Sequence, residues 1–445
     1  MAQIDSNLTK EQVAQMEREF ARKRKAAARR RAAELARLSG ERTLVDDRQT
    51  TWTFVVVDGA FGRVIACNTT EKELRVPETL GGLPVKEVDP EAFSQLVETR
   101  EIALSDSIES IGAYAFRGCE NLRRLVLPAN TTAFSSSWIS KCPNLEELVL
   151  PESLETITDE IFANPAVKTL TIGAKTRFVQ PGAFENSNLA SLSIDPRNDF
   201  LKTDGTCVYS ADGTLLVALA RRIDSYDVAC GCRDIGKKAF FGATSLKRVT
   251  LPEGVTFVDE LAFANSGIES LDCPSSLVAI ASKAFLRCLS LEKITLNKGL
   301  RTLGDDVFAG SALAALKIPA SVERIGSSVT VRTNVRHAGD SATFVIDPSN
   351  PFYFVDAEGC LYRNDSDGCH LAQMLEPTTV SYEVNPSTVA IDEKAFAYHE
   401  ALESVAAPEG LKRIGAGAFR VCRKLRTISI PESLESVGTE AFIDT

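Results

Sequence analysis

The chain has 445 residues, of which 44% are apolar and 25% charged, with a formal net charge of -10. These values are those of an ordinary folded protein and exclude a disordered or collagen-like chain. The charge is uneven: residues 1–40 hold ten Lys/Arg against five Asp/Glu, so the remainder is strongly acidic, which argues against phosphate wrapping by the main body.

Residues 1–40 are expected to form a basic helical or frayed segment. Thr9 with Gln12 has capping-box spacing, residues 10–38 lack Pro and Gly, and Gly40 is a natural stop. Such a segment offers an attachment to nucleic acid or to an anionic membrane, the alternative to a purely protein-binding role. It contains no apolar core of a secretory signal, and no stretch of the chain reaches the roughly 18 apolar residues of a membrane span. The expected location is therefore the cytoplasm, with a cell surface reached by non-classical export as the alternative. Residues 41–85 are expected to form the N-terminal cap of a solenoid that begins at residue 86.

From residue 86 to 445 the sequence repeats. Phe93, Phe116, Phe162, Phe184, Phe240, Phe263, Phe285, Phe308, Phe396, Phe419 and Phe442 share one pattern, most of them preceded by Ala, and Trp138 is expected to fill the slot between Phe116 and Phe162. The period of 22–24 residues is that of a leucine-rich repeat. Each unit carries an alternating strand closed by proline, as in Leu125-Val126-Leu127-Pro128 and Ile428-Ser429-Ile430-Pro431. One coil cannot bury its own Leu and Phe, so a stack is required and the Phe column is expected to form its spine. Two longer gaps, at about 195–230 and 346–385, carry apolar runs around Asp-Gly steps and are expected to be β-hairpin insertions. A degenerate coil is expected around Val322–Val331, and no strand follows Phe442.

The chain resembles the BspA-like leucine-rich repeat family over roughly residues 50 to 445. The resemblance rests on the unit Ile-Gly-x-x-Ala-Phe, followed by Cys and Leu-x-x-Leu-x-Leu-Pro, on the Asp-Gly hairpins, and on an opening in which Val76-Pro77 and Gly82-Leu83-Pro84-Val85 lead to Ala92-Phe93. It implies a β-rich solenoid devoted to adhesion and protein–protein contact, with no catalytic residues to carry over.

Chemistry-bearing residues point the same way. Cys119, Cys142, Cys288 and Cys422 hold one coil position and are expected to be buried and reduced. Cys230 and Cys232 lack the further ligands a metal needs. His337, His370 and His399 show no metal or nucleophile spacing, and His399 is expected at the surface. Asn364–Gly368 lacks the glutamate of a calcium loop and reads as a hairpin turn. No catalytic, cofactor-binding or metal residue is expected, no cofactor, and no small-molecule substrate. The expected function is a non-enzymatic scaffold that binds a protein partner through its strand face or its hairpins. The candidate contact residues are the outward charges Arg124, Glu147, Arg248, Asp272, Lys293 and Lys317.

Overall fold

The computed structural model describes residues 40–445 apart from 132–136, 159–165, 186, 328, 330–342 and 377. The expected basic segment, Phe162 and His337 lie outside the described residues. Two compact units are present, Met1–Ser153 and Leu154–Thr445. Both are β-solenoids of short parallel strands, and no α-helix occurs among the described residues.

Each coil is fixed at three stations. At the first, the alternating strands pair in parallel: Glu101–Ala103 with Arg124–Val126, and Arg124–Val126 with Glu147–Val149. Their middle residues, Ile102, Leu125 and Leu148, are buried, as a strand period of two requires. At the second, two-residue strands stack: Asp234–Ile235, Phe257–Val258, Ala279–Ile280, Thr302–Leu303 and Arg324–Ile325. Here backbones approach closely. A Cβ on Gly304 would lie 2.3 Å from the Ser282 nitrogen, which explains the glycine there.

The third station is the Ala-Phe turn. In the described coils the residues two before and two after the Phe are left-handed, Leu261 (φ 60°) and Asn265 (φ 57°) around Phe263, Lys283 (φ 61°) and Arg287 (φ 55°) around Phe285. Repeated reversals of φ sign forbid a helix and produce a flat double turn. The freed backbone groups then pair from coil to coil: Phe240 N–H donates to the Ala262 carbonyl at 2.7 Å, and Phe263 N–H to Ala284 at 2.8 Å. Above this ladder the rings stack, with centroids 4.8 Å apart for Phe240–Phe263, 5.0 Å for Phe263–Phe285 and 5.6 Å for Phe285–Phe308. The column is both apolar core and offset aromatic stack.

One coil corrects the expected register. Phe116 N–H donates to the Trp138 carbonyl at 2.8 Å, the acceptor position that Ala holds elsewhere, so Ile139 and not Trp138 stands in the Phe position. The left-handed Ser137 and Lys141 flank Ile139 by two residues on either side. The indole still reaches the column, meeting Phe116 edge-on at 6.1 Å. At the degenerate coil, Val329 takes the Ala position, accepting from Phe308 N–H at 3.2 Å.

Three residues after the Phe position runs a file of small donors. Cys119 Sγ lies 3.2 Å from the Phe93 carbonyl, and Cys142, Cys288 and Cys422 each lie 3.0 Å from the carbonyl of Phe116, Phe263 and Phe396. All eleven cysteines are free thiols. His399 occupies this file as well. Contrary to the surface position expected from sequence, it is 8% exposed, with Nε2 2.8 Å from the Glu376 carbonyl, because the coil places it inward where other coils keep Cys.

Three antiparallel meanders interrupt the coils. In the first unit Arg42–Val45, Thr51–Val57 and Phe61–Asn68 pair in succession, and the last then pairs in parallel with Leu83–Val88. In the second unit Leu201–Thr203, Cys207–Ser210 and Leu215–Leu219 do the same, ending parallel to Asp234–Ile235. Tyr353–Val355, Cys360–Asp365 and Gly368–Met374 repeat it against Thr388–Ile391. Each therefore feeds its last strand into the second-station stack and is part of the solenoid wall.

Candidate interaction surfaces

The outward positions of the first-station strands form files, and the two units differ in how their charges are used. In the first unit Glu73, Glu101, Arg124 and Glu147 stand side by side. Arg124 bridges its neighbours, with Nη1 2.7 Å from Glu101 Oε1 and Nε 3.0 Å from Glu147 Oε2. Those two carboxylates raise the pKa of the guanidinium, led by Glu147. Two of the six candidate contact residues are thus spent on each other.

In the second unit Ser225–Asp227, Arg248–Thr250, Ser270–Asp272 and Lys293–Thr295 form one parallel sheet. One file reads Ser225, Arg248, Ser270, Lys293 and the other Asp227, Thr250, Asp272, Thr295. Lys317 lies in Ala315–Ile318, which pairs instead with Thr343–Ile346. Arg248, Asp272, Lys293 and Lys317 are all exposed and make no ion pair among the described residues. Short polar neighbours leave their charges unscreened by protein.

The meanders in the second unit carry charge of a different kind. Asp204 Oδ2 accepts from Tyr226 OH at 2.5 Å, and the two hydroxyls of Tyr226 and Tyr209 lie 2.5 Å apart. Ala229 N–H closes the chain onto Tyr209 at 3.2 Å. The other meander repeats it through Asp356, Tyr382 and Tyr362, closed by Asn385 N–H at 3.0 Å. Burial pushes the Tyr209 hydroxyl up to about 12, so it stays protonated. Each relay ties its meander to the following coil. An asparagine does the same from behind: Asn198 Nδ2 donates to the Gly173 and Thr176 carbonyls at 2.7 and 2.9 Å, and Asn350 repeats this on Pro319 and Val322.

The last meander also gathers an ion cluster that local motifs in the sequence do not reveal. His370 Nε2 lies 2.8 Å from Asp367 Oδ1, and its Nδ1 lies 3.1 Å from Asp392 Oδ1. Arg363 binds Asp392 at 3.0 Å and also contacts Asp365, while Arg413 reaches Asp367. The donor atoms of Asp365, Asp367 and His370 fall within 4.8 Å of one another, close enough for a cation. Arg413 and His370 hold the Asp367 carboxyl down at about 2, and Arg363 lies on Asp365. The guanidinium groups already pair with these carboxylates, so the arrangement is a charge lock on the hairpin turn expected at Asn364–Gly368. No helix among the described residues is long and apolar enough to cross a membrane.

The BspA type leucine-rich repeat region matches this chain in six copies, over residues 84–204, 221–334 and 381–445. Among solved structures, the pneumococcal vaccine antigen PcpA is 20% identical, with 71% of this chain and 94% of that one covered and a TM-score of 0.48. A leucine-rich repeat protein from Eubacterium ventriosum is 15% identical over 91% of this chain and 95% of that one, with a TM-score of 0.36. One from Bacteroides ovatus is 17% identical over 90% and 92%, with a TM-score of 0.33. No curated protein matches the chain.

Proposed function

This chain belongs to the BspA-type leucine-rich repeat family, and on that premise we propose that it is a non-catalytic scaffold that binds a protein partner, in adhesion, through the strand face of its second unit. The observation that carries the reading is the contrast between the two faces. Arg124 and Glu147 neutralise each other, whereas Arg248, Asp272, Lys293 and Lys317 stand exposed and without an ion pair among the described residues. Charges left free on a rigid wall are desolvated at no cost to an internal pair, and they confer register and on-rate on a complex. A polar rim of this kind is typical of non-obligate interfaces.

The test is a quadruple variant, Arg248→Ala, Asp272→Ala, Lys293→Ala and Lys317→Ala, compared with Arg124→Ala in cross-linking of the purified chain to intact bacterial and host cells. The quadruple variant is expected to lose most of the captured protein and Arg124→Ala to keep it. Capture unaffected by the quadruple change would move the interface elsewhere and sink this assignment. We further propose that most of the free cysteines stay reduced in the native protein, supported by their burial. Thiol titration of the denatured chain without reductant should then recover nearly all eleven.

A further inference from the structure

The coil that follows the second meander differs from its neighbours at one position. Three residues after Phe240 stands Ala243, where other coils carry Cys119, Cys288, Ser311 or Cys422. Beside it the segment leaving the meander is laid against the preceding coil, with Ser187 Oγ donating to the Ala220 carbonyl at 2.6 Å and an isolated parallel bridge joining Leu189 to Arg221. The small side chain and the inserted segment together leave a cavity of about 40 Å³. That is room for roughly three waters.

Its lining is mixed. Phe184, Ala243 and Leu246 are apolar, and Arg221 and Arg222 are basic. Among the described residues Glu185 is the only acid that lines it, so two cations against one anion leave a single positive charge. Arg221 Nε is shielded from solvent and has no hydrogen-bond partner among the described residues. A shielded guanidinium nitrogen without an acceptor is costly, and a planar anion beside it would supply what is missing. The surplus of one charge selects a monoanion over a phosphate dianion, and the apolar walls select an anion on a short hydrocarbon stem.

We propose that this cavity binds a carboxylate carried on a short apolar stem, with Arg221 and Arg222 holding the anion and Phe184, Ala243 and Leu246 receiving the stem. The same chemistry is offered by a free small acid and by the C-terminus of a peptide, and the site stands independently of the strand face assigned to a protein partner.

Calorimetric titration of the full chain with N-acetyl-leucine, N-acetyl-leucinamide and the peptide Gly-Gly-Leu tests it. The two acids are expected to bind and the amide to bind at least tenfold more weakly, about the loss of one charged hydrogen-bond pair. Tighter binding of Gly-Gly-Leu identifies a peptide end as the source, and tighter binding of N-acetyl-leucine a free acid. Arg221→Gln should weaken the acids about tenfold. Arg222→Gln, an exposed position, serves the same purpose if the first variant does not fold. Arg287→Gln, at an exposed position away from the cavity, is expected to leave the titration unchanged. Equal binding of acid and amide, heats indistinguishable from dilution with all three, or unchanged affinity in a folded Arg221→Gln or Arg222→Gln chain would overturn the proposal.

Discussion

Left-handed residues show how a single position is tuned. Val421 sits two residues after Phe419 with φ 62°, a conformation that costs a β-branched side chain about 1–2 kcal/mol. Other coils place Gly118, Gly242 and Gly310 at this position, with φ 73°, 68° and 72°. Val421→Gly should therefore raise stability by about 1 kcal/mol even after the entropy that glycine gives the unfolded chain, read as an upward shift in the urea midpoint. A lower midpoint would mean that the valine side chain packs better than its backbone is strained. His399 gives a residue-scale pH effect. Burial depresses its pKa below 6.5, partly opposed by the Glu376 carbonyl. Above pH 6.5 both states are neutral there and stability is complete. As pH falls below 6.5 the unfolded chain takes up the proton first, so stability drops until the folded pKa is passed. In His399→Gln the slope of stability between pH 6.5 and the carboxylate range should flatten; an unchanged slope would remove His399 as its source.

At the scale of the coil, the Phe column ranks positions by the number of neighbours. Phe263 and Phe285 are each stacked between two rings, while Phe442 is half-buried and, among the described residues, stacks on one ring, Phe419, at 5.1 Å. Replacement of either central ring by Ala should cost about 3–5 kcal/mol through the cavity left behind, and Phe442→Ala clearly less. Equal losses at all three in chemical denaturation would contradict additive stacking. This column was legible in the sequence because aromatic mass recurs at a fixed period. The same cue misplaced Trp138, since the larger side chain outweighed Ile139; the true register was marked by Cys142, three residues after Ile139. His399 was readable by that rule too, three residues after Phe396, but a lone histidine beside a tyrosine suggested a surface. The cluster at His370 was beyond local motifs: its partner Asp392 lies one coil away, and only the parallel pairing of Cys369 with Thr388 brings them together. The cavity at Ala243 was hidden for another reason. It arises from a side chain that is missing, and a spacing pattern records what is present.

At the scale of the molecule, the Asp-Gly steps fall within the two interruptions of the second unit, yet the third strand of each was missed because Leu201–Thr203 and Tyr353–Val355 span only three residues each. With that strand included, the two interruptions share the asparagine tie and the Asp-Tyr-Tyr relay. Asn198 and Asn350 lie 152 residues apart, as do Asp204 and Asp356. A chain built this way has a natural length quantum. Cutting after Phe200 and resuming at Tyr353 would remove residues 201–352 as one block, joining the Asn198 tie directly to the Asp356 relay in the order both meanders already use. Such a shortened chain should fold and melt as a cooperative unit, observable by circular dichroism, whereas a deletion of equal length displaced by half a coil should not. Unequal recombination between the two meanders would make the same joint in a genome, so this gene can gain or lose reach in whole blocks without passing through an unfolded ancestor.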